Sequence, residues 1–233
     1  MPVSDENGHG TFLASVAAGG ENIQEGFTGA ASEAEIAVVK LKEAKDYLRK
    51  FYGIRQMAVC YQETDIVQGL RYLHLLALKK QKPLVMCVAL GTNLGGHNGM
   101  SSLSRILGSY SRLVDRCVVI GGGNEANERH HFQGKLNQVG EVQEVEMRVE
   151  SGNTGFVAEL WGTIPNIVTA YLISPSGERS PVISIRQGSR YQLTFPFEQT
   201  VVDVEYQLFL RDGRSQLLFL KFDHPAQGIW KIG

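Results

Sequence analysis

The hydrophobic pattern of the chain changes character near residue 136. Before this point, apolar residues recur at helical spacing in two segments, and continuous apolar runs rich in β-branched residues alternate with them. The pattern predicts helices over 65–78 and 103–114 and buried strands over 36–41, 83–90 and 117–120. Because strands and helices alternate, we expect parallel strands joined by right-handed crossovers.

After residue 136, apolar and polar residues alternate with the period of two that is typical of half-buried strands. The predicted strands are 142–149, 154–161 and 168–173, and turn signals follow at Pro175-Ser-Gly177, Gln187-Gly188 and Asp212-Gly213. The last of these predicts a tight hairpin. We therefore expect two domains: an α/β unit at residues 1–136 and an all-β sandwich at residues 137–233.

A histidine between two glycines stands near the start of the chain, in Gly8-His9-Gly10-Thr11. The glycines allow other groups to approach His9 closely, and Thr11 is predicted to cap the helix that follows. Phe12, Leu13 and Val16 are predicted to form the buried apolar face of that helix. Taken alone, the motif is equally typical of a reactive histidine and of a core histidine at a helix start.

Two glycine-containing motifs follow predicted strands, Val88-Ala-Leu-Gly91 and Gly121-Gly-Gly-Asn-Glu125. Together with Gly8-His9-Gly10-Thr11 and the segment 26–41, they resemble, in the same order, four motifs of the subtilisin-like serine proteases, the subtilases of peptidase family S8. This resemblance covers residues 4–127. The insertion 43–52 and the later segment 61–66 resemble the clostridial Csp-type germination subtilases more closely.

The resemblance implies roles for particular residues. His9 would be the general base that activates a serine nucleophile, and Asn124 would donate its side-chain amide to the oxyanion of the transition state. The strand end at 89–91 would pair with an extended peptide or protein substrate, and the glycines at 121–123 would leave space for the side chain at the cleaved bond. The implied substrate-binding residues are Ala89, Leu90, Gly91, Gly121, Gly122 and Gly123. Each glycine run, taken singly, is also typical of a simple strand end.

Two family motifs are missing from the sequence: the strand that ends in the orienting aspartate, and Gly-Thr-Ser-Met-Ala, which carries the nucleophile. Asp5 lies too close to His9 to be the orienting aspartate, and the serines at 101–104 are typical of a capped helix start. We therefore expect an inactive internal fragment of a protease whose missing flanking segments are its partners. The alternative hypothesis is a pseudoprotease scaffold, with a protein- or glycan-binding module and a role in spore germination.

The carboxyl-terminal module resembles the jelly-roll modules of many subtilases at 172–178 and 228–232. In Csp-type members such a module interrupts the protease domain between the oxyanion asparagine and the serine. The implied fold is a partial subtilisin-like parallel sheet with flanking helices, followed by a jelly-roll-like sandwich. A further hypothesis is a ligand-stacking platform of aromatic side chains, although such residues are more often part of a core; the candidates are Trp161, Tyr171, Tyr191 and Trp230.

Composition and charge indicate which partners and cofactors to expect. With 23 basic and 24 acidic residues, the net charge of −1 gives no reason to expect nucleic acid as a partner. No signal peptide or membrane span is visible, and Cys87 and Cys117 are predicted to be reduced core residues. The Arg129-His-His131 run is interpreted as a cleft rim rather than a metal site. We expect no cofactor, no metal and no recognisable calcium loop.

Overall fold

The computed structural model describes residues 4–208, 210 and 213–233. Its amino-terminal part follows the predicted alternation of helices and strands. β1 and β2 pair in parallel, with Leu84 opposite Arg116 and Val88 opposite Ile120. The elements of this part are α1 (His9–Ala18), α2 (Asp46–Phe51), α3 (Glu63–Lys80), β1 (Leu84–Val88), α4 (Ser102–Ser111) and β2 (Arg116–Ile120). The predicted helices over 65–78 and 103–114 and the strands over 83–90 and 117–120 are thereby confirmed.

One face of the two-stranded sheet is buried under α3 and α4. Leu70, Met86, Val88 and Leu107 form the buried cluster between these layers. The opposite face carries Val85, Cys87, Cys117 and Val119, all of which are exposed. Because successive side chains of a strand point to opposite faces, both cysteines lie on this open face. The prediction that Cys87 and Cys117 are core residues is therefore wrong; both are free thiols.

The predicted buried strand at 36–41 is not a paired strand. The segment is extended, but within the described part of the chain the backbone of residues 36–42 forms no hydrogen bond. Ile36 is 53% exposed and Val38 66%, whereas Val39 and Leu41 lie against Gly69 of α3. The β-branched pattern predicts the extended conformation correctly. Burial of a strand, however, requires a neighbouring strand, and no described strand lies beside this one.

The carboxyl-terminal part consists of two antiparallel sheets. One has the order β3-β9-β5 and the other β4-β8-β7-β6. The period-two prediction is confirmed, although only Leu172–Ile173 of the predicted run 168–173 is strand. The strands are β3 (Val145–Val149), β4 (Gly155–Thr163), β5 (Leu172–Ile173), β6 (Ser189–Phe195), β7 (Thr200–Gln207), β8 (Ser215–Asp223) and β9 (Gly228–Ile232). Asp212 of the predicted hairpin lies outside the described residues.

Residues of both antiparallel sheets share one buried core. Trp230 of β9 is fully buried and contacts Phe195 and Phe222 edge-on, with ring centroids 4.9 and 5.4 Å apart. Tyr171 is 9% exposed. The hypothesis of an aromatic stacking platform is therefore wrong for Trp230 and Tyr171, because the hydrophobic effect favours burying such large rings in the core.

The two parts of the molecule touch through α2 and through the loop that follows β1. The ring of Phe51 stacks on Phe219 of β8, with the ring centroids 6.0 Å apart. The segment 121–144, which joins the two parts, contains neither helix nor strand.

In the part of the chain that the structure describes, no helix has the length and apolar character needed to cross a bilayer.

Candidate functional site

The two glycine-containing motifs leave the sheet at the same edge. Val88 and Ile120 end neighbouring parallel strands, and the Gly121 amide donates to the Val88 carbonyl at 3.0 Å, which extends the pairing beyond β2. Leu90 then packs on the edge of the buried cluster under the sheet. The structure thus brings the predicted segments 89–91 and 121–123 together, at the carboxyl ends of parallel strands, where α/β sheets commonly hold ligands.

Asn124 lies in the loop that continues from this edge and is exposed to solvent. Gly123 precedes it with φ of +82°, a conformation that favours glycine. The Asn124 side chain has no hydrogen-bond partner in the described residues, so its amide is available to a group that enters from solvent.

Glu125, which follows Asn124, is held by side-chain hydrogen bonds. The Glu125 carboxylate accepts a hydrogen bond from Nδ2 of Asn93 at 2.6 Å, and the same oxygen lies 2.9 Å from Nδ1 of His130. The His130 contact, followed by the Asn93 bond, holds the pKa of Glu125 below its usual range. Asn93 comes from the loop after β1, so this carboxylate ties the two loops at the sheet edge to each other.

His9 is the first residue of α1 and is exposed. Gly8 precedes it as the N-cap with φ of +82°, where a glycine is favoured. Within the described residues the imidazole of His9 forms no hydrogen bond or ion pair, and no such bond or ring contact joins α1 to β1 or β2. The His9 imidazole is therefore open to solvent, and among the described residues no contact between elements ties α1 to the two parallel strands.

Asp5, not Thr11, caps the His9 helix. The Asp5 carboxylate accepts hydrogen bonds from the Gly8 amide at 3.0 Å, and from the Thr11 amide and hydroxyl, both at 2.8 Å. These bonds, with the Thr11 amide contributing most, lower the pKa of Asp5 to about 2. The prediction that Thr11 is the cap is wrong, because α1 begins at His9, so Thr11 is its third residue and supplies one of the free amides that need an acceptor.

The predicted apolar face of α1 is not buried. Phe12 is 65% exposed and Val16 44%, and no residue of the helix is fully buried. The helix is tied mainly to the loop that follows it, through hydrogen bonds from the amides of Ala30 and Ala31. A helix gains burial only where another layer covers its face, and among the described residues no helix or strand packs on α1.

The serines at 101–104 form a capped helix start, as predicted. The Ser101 hydroxyl accepts a hydrogen bond from the Ser104 amide at 3.1 Å at the start of α4. The ring of His131, in the basic run, lies against the ring of His97 at a tilt of 43°, with the ring centroids 4.4 Å apart. In the described residues no group of three or more histidines, cysteines or carboxylates is placed to hold a metal ion.

Asn93 belongs to this site although no sequence motif pointed to it. The signal that could have found it is its position, since it is the first amide-bearing side chain after a strand whose carboxyl end faces the glycine-rich loop.

The chain matches the family model of peptidase S8, described as the subtilase family, over residues 1–198. This match spans more than half of the 233 residues, so the chain belongs to the subtilase family. Its fold is similar to that of the CspB protease of Clostridium perfringens, with a TM-score of 0.83 at 24% sequence identity. The alignment covers 98% of this chain and 45% of the CspB chain, so this chain spans less than half the length of that protein. No curated protein sequence matches it.

The family predicted from the motifs is thereby confirmed. The likeness to Csp-type subtilases is confirmed for the fold.

Proposed function

We propose that this chain is part of a subtilisin-like serine endopeptidase that hydrolyses peptide bonds in protein or peptide substrates. The observation that carries the proposal is the junction of two predicted segments at one sheet edge, where Gly121 bonds to Val88 and Asn124 follows with an unpaired side-chain amide. Membership of the subtilase family supports the same reaction class.

In this proposal His9 accepts the proton of the serine hydroxyl as the serine oxygen attacks the substrate carbonyl carbon, and later delivers that proton to the leaving amine. Asn124 donates a hydrogen bond to the oxyanion that forms on the carbonyl oxygen. Residues 89–91 pair with the substrate backbone, and the glycines at 121–123 leave room for its side chain. The nucleophilic serine and the carboxylate that orients His9 come from other segments of a longer polypeptide, so this chain is inactive alone.

The proposed domain organisation is a partial protease domain at residues 1–136 and a jelly-roll-like sandwich at residues 137–233. The shared core of the two antiparallel sheets supports the second unit. The family match extends beyond residue 136 to residue 198, which supports a sandwich inserted within a protease domain.

The test is peptide hydrolysis by the longer polypeptide that contains both flanks, with His9→Ala and Asn124→Asp variants. His9→Ala should lower kcat by at least about 100-fold, the usual contribution of a general base. Asn124→Asp should lower kcat with little change in KM. The aspartate carboxylate cannot donate a hydrogen bond to the oxyanion, and it carries the same negative charge. His224→Ala and Asn137→Asp, at exposed positions outside the site, are the matched controls. Full activity of the His9→Ala variant would refute the proposal.

A second candidate is a pseudoprotease scaffold that binds a protein or glycan and acts in spore germination. The observation that favours it is the exposed imidazole of His9, which has no partner among the described residues. Under this proposal the His9→Ala and Asn124→Asp variants keep full biological function and partner binding. Loss of function in either variant, with an unchanged melting temperature, would count against the scaffold.

A further inference from the structure

The loop that follows β1 is fastened to the carboxyl-terminal sheets by one carboxylate. Oε2 of Glu159, on β4, accepts a hydrogen bond from the Gly95 amide at 2.7 Å and another from Nε1 of Trp161 at 2.8 Å. A carboxylate that accepts two N–H donors makes charge-assisted bonds, which are stronger than neutral ones. Glu159 therefore holds the loop backbone and the indole ring in one arrangement.

Shape reinforces this attachment. A Cβ atom added at Gly96 would lie 2.9 Å from the Trp161 ring, closer than carbon atoms pack. The loop backbone therefore rests directly on the indole. Further along the loop, Nδ2 of Asn98 lies 3.4 Å from the Ser215 hydroxyl of β8. The contacts with β4 and β8 fall within four residues, Gly95 to Asn98.

The same loop is fastened to the Asn124 loop on its other side. Asn93, two residues before Gly95, donates to Glu125. The His97 ring lies against His131, and its Nε2 lies 3.3 Å from the Asn93 carbonyl. A continuous series of contacts thus runs from Glu159, through the loop at 93–97, to the residue adjacent to Asn124.

We propose that Glu159 is a positioning residue for the candidate oxyanion donor. By fixing Gly95 it fixes Asn93, which in turn holds Glu125 and so the loop that presents Asn124. The carboxyl-terminal sheets therefore set the geometry of the site, although Glu159 itself touches no reacting atom. This inference rests on the proposed function, because it assigns Asn124 the role of donor.

The test uses the full chain labelled with nitrogen-15, with the variants Glu159→Ala and Glu159→Gln. Hydrogen exchange at the Gly95 amide and the side-chain amide resonances of Asn93 and Asn124 are measured. In Glu159→Ala we expect about tenfold faster exchange at Gly95, because an opened local bond loses its protection, together with shifts of both asparagine resonances. Glu159→Gln should restore both readouts in large part, because its amide oxygen still accepts hydrogen bonds.

Two further variants separate positioning from folding. Glu146→Ala, which removes an exposed carboxylate paired with Lys231 on the β3–β9 sheet, is the matched control and should change none of the three signals. Asn93→Ala breaks the later link, so it should shift the Asn124 resonance while Gly95 stays protected. Exchange in β7 and β8 reports global stability and should be unchanged in every variant.

The outcome that overturns the proposal is an Asn124 resonance that stays in place in Glu159→Ala, whether or not Gly95 exchange accelerates. These readouts need no enzymatic activity, so they test whether Glu159 positions Asn124 separately from whether the proposed protease function holds. In an active longer polypeptide, Glu159→Ala should lower kcat by about tenfold with unchanged KM, because misplacing a catalytic group weakens its action in the transition state.

Discussion

At the scale of single residues, a carboxylate organises the start of the His9 helix. Asp5 lies four residues before His9, and its two oxygens reach the amides of Asn7, Gly8 and Thr11. The sequence pattern predicted Thr11 as the cap and did not point to Asp5. The choice depends on how the glycine at position 8 turns the chain, which is a property of the folded backbone.

The first prediction concerns this cap. Asp5→Ala should accelerate hydrogen exchange over residues 8–12, since the helix amides lose their acceptor. The pKa of Asp5 falls from 3.8 to about 2 on folding, so its stabilisation of α1 is complete above pH 3.8 and is lost as the pH falls through about 2. The same loss of protection should therefore appear in the unmodified chain under acid. Glu6→Ala is the control, and equal acceleration in both variants would contradict the assignment.

Arg49 is a second residue with a large structural role. Its guanidinium is nearly buried and donates through Nη2 to the carbonyls of Arg55, Gln56 and Ala58, at 3.0, 2.6 and 2.7 Å. Nη1 contacts the sulfur of Cys60 at 3.2 Å. One side chain thus closes the loop between α2 and α3, and no sequence pattern predicts this role for Arg49.

The second prediction is that Arg49→Lys destabilises the chain. A lysine ammonium cannot reproduce the planar arrangement of donors, so the three loop carbonyls lose hydrogen bonds to a buried side chain. We expect the free energy of unfolding in urea to fall by about 2 kcal/mol. Arg190→Lys, at an exposed ion pair on β6, should change it by less than about 0.5 kcal/mol. Equal effects of the two substitutions would refute the role of Arg49.

At the scale of elements, periodicity predicted which segments are helical or extended, and parallel pairing followed from their order. α3 and α4 were predicted well because their apolar residues recur on one face and pack on β1 and β2. The segment 36–41 and α1 were predicted wrongly in burial, not in conformation. A sequence pattern states which face is apolar, whereas burial depends on the layer that covers it.

The third prediction follows from the uncovered face of the β1–β2 sheet. Cys87 and Cys117 are exposed there, whereas Cys60 is half-buried beside Arg49. A thiol reagent added to the native chain should therefore label two cysteines rapidly and the third slowly, because reaction requires access to the thiol. Cys87→Ser and Cys117→Ser should each remove one rapid equivalent. Rapid labelling of only Cys60 would contradict the exposed face.

At the scale of the whole molecule, the antiparallel part has the best-formed core. The period of two predicted sheets with one buried and one exposed face. The same pattern did not indicate which aromatic residues lie on the buried face. Trp161 illustrates the difficulty. It lies on β4, its indole N–H donates to Glu159, and its ring lies against Gly96. The burial of this ring depends on the loop after β1, which the strand pattern does not place.

The fourth prediction tests this core. Trp230→Ala should lower the free energy of unfolding by about 3–5 kcal/mol, because it removes a fully buried indole and leaves a cavity between the two sheets. Phe197→Ala, at a side chain that is 83% exposed, should change it by less than about 0.5 kcal/mol. The measurement is thermal or urea unfolding followed by circular dichroism. A small effect of Trp230→Ala would mean that the two sheets do not share a core.

The extended segment 36–42 is held at both ends although its backbone has no hydrogen-bond partner in the described part of the chain. Glu35 binds Lys80 and Lys82 just before β1, and Nζ of Lys40 donates to the Ser4 carbonyl at 2.6 Å. Straightening a residue costs about 1–2 kcal/mol of conformational entropy. This entropy cost is already included in the folding of the segment. A second polypeptide strand that pairs with residues 36–42 would therefore lose only its own conformational entropy on binding.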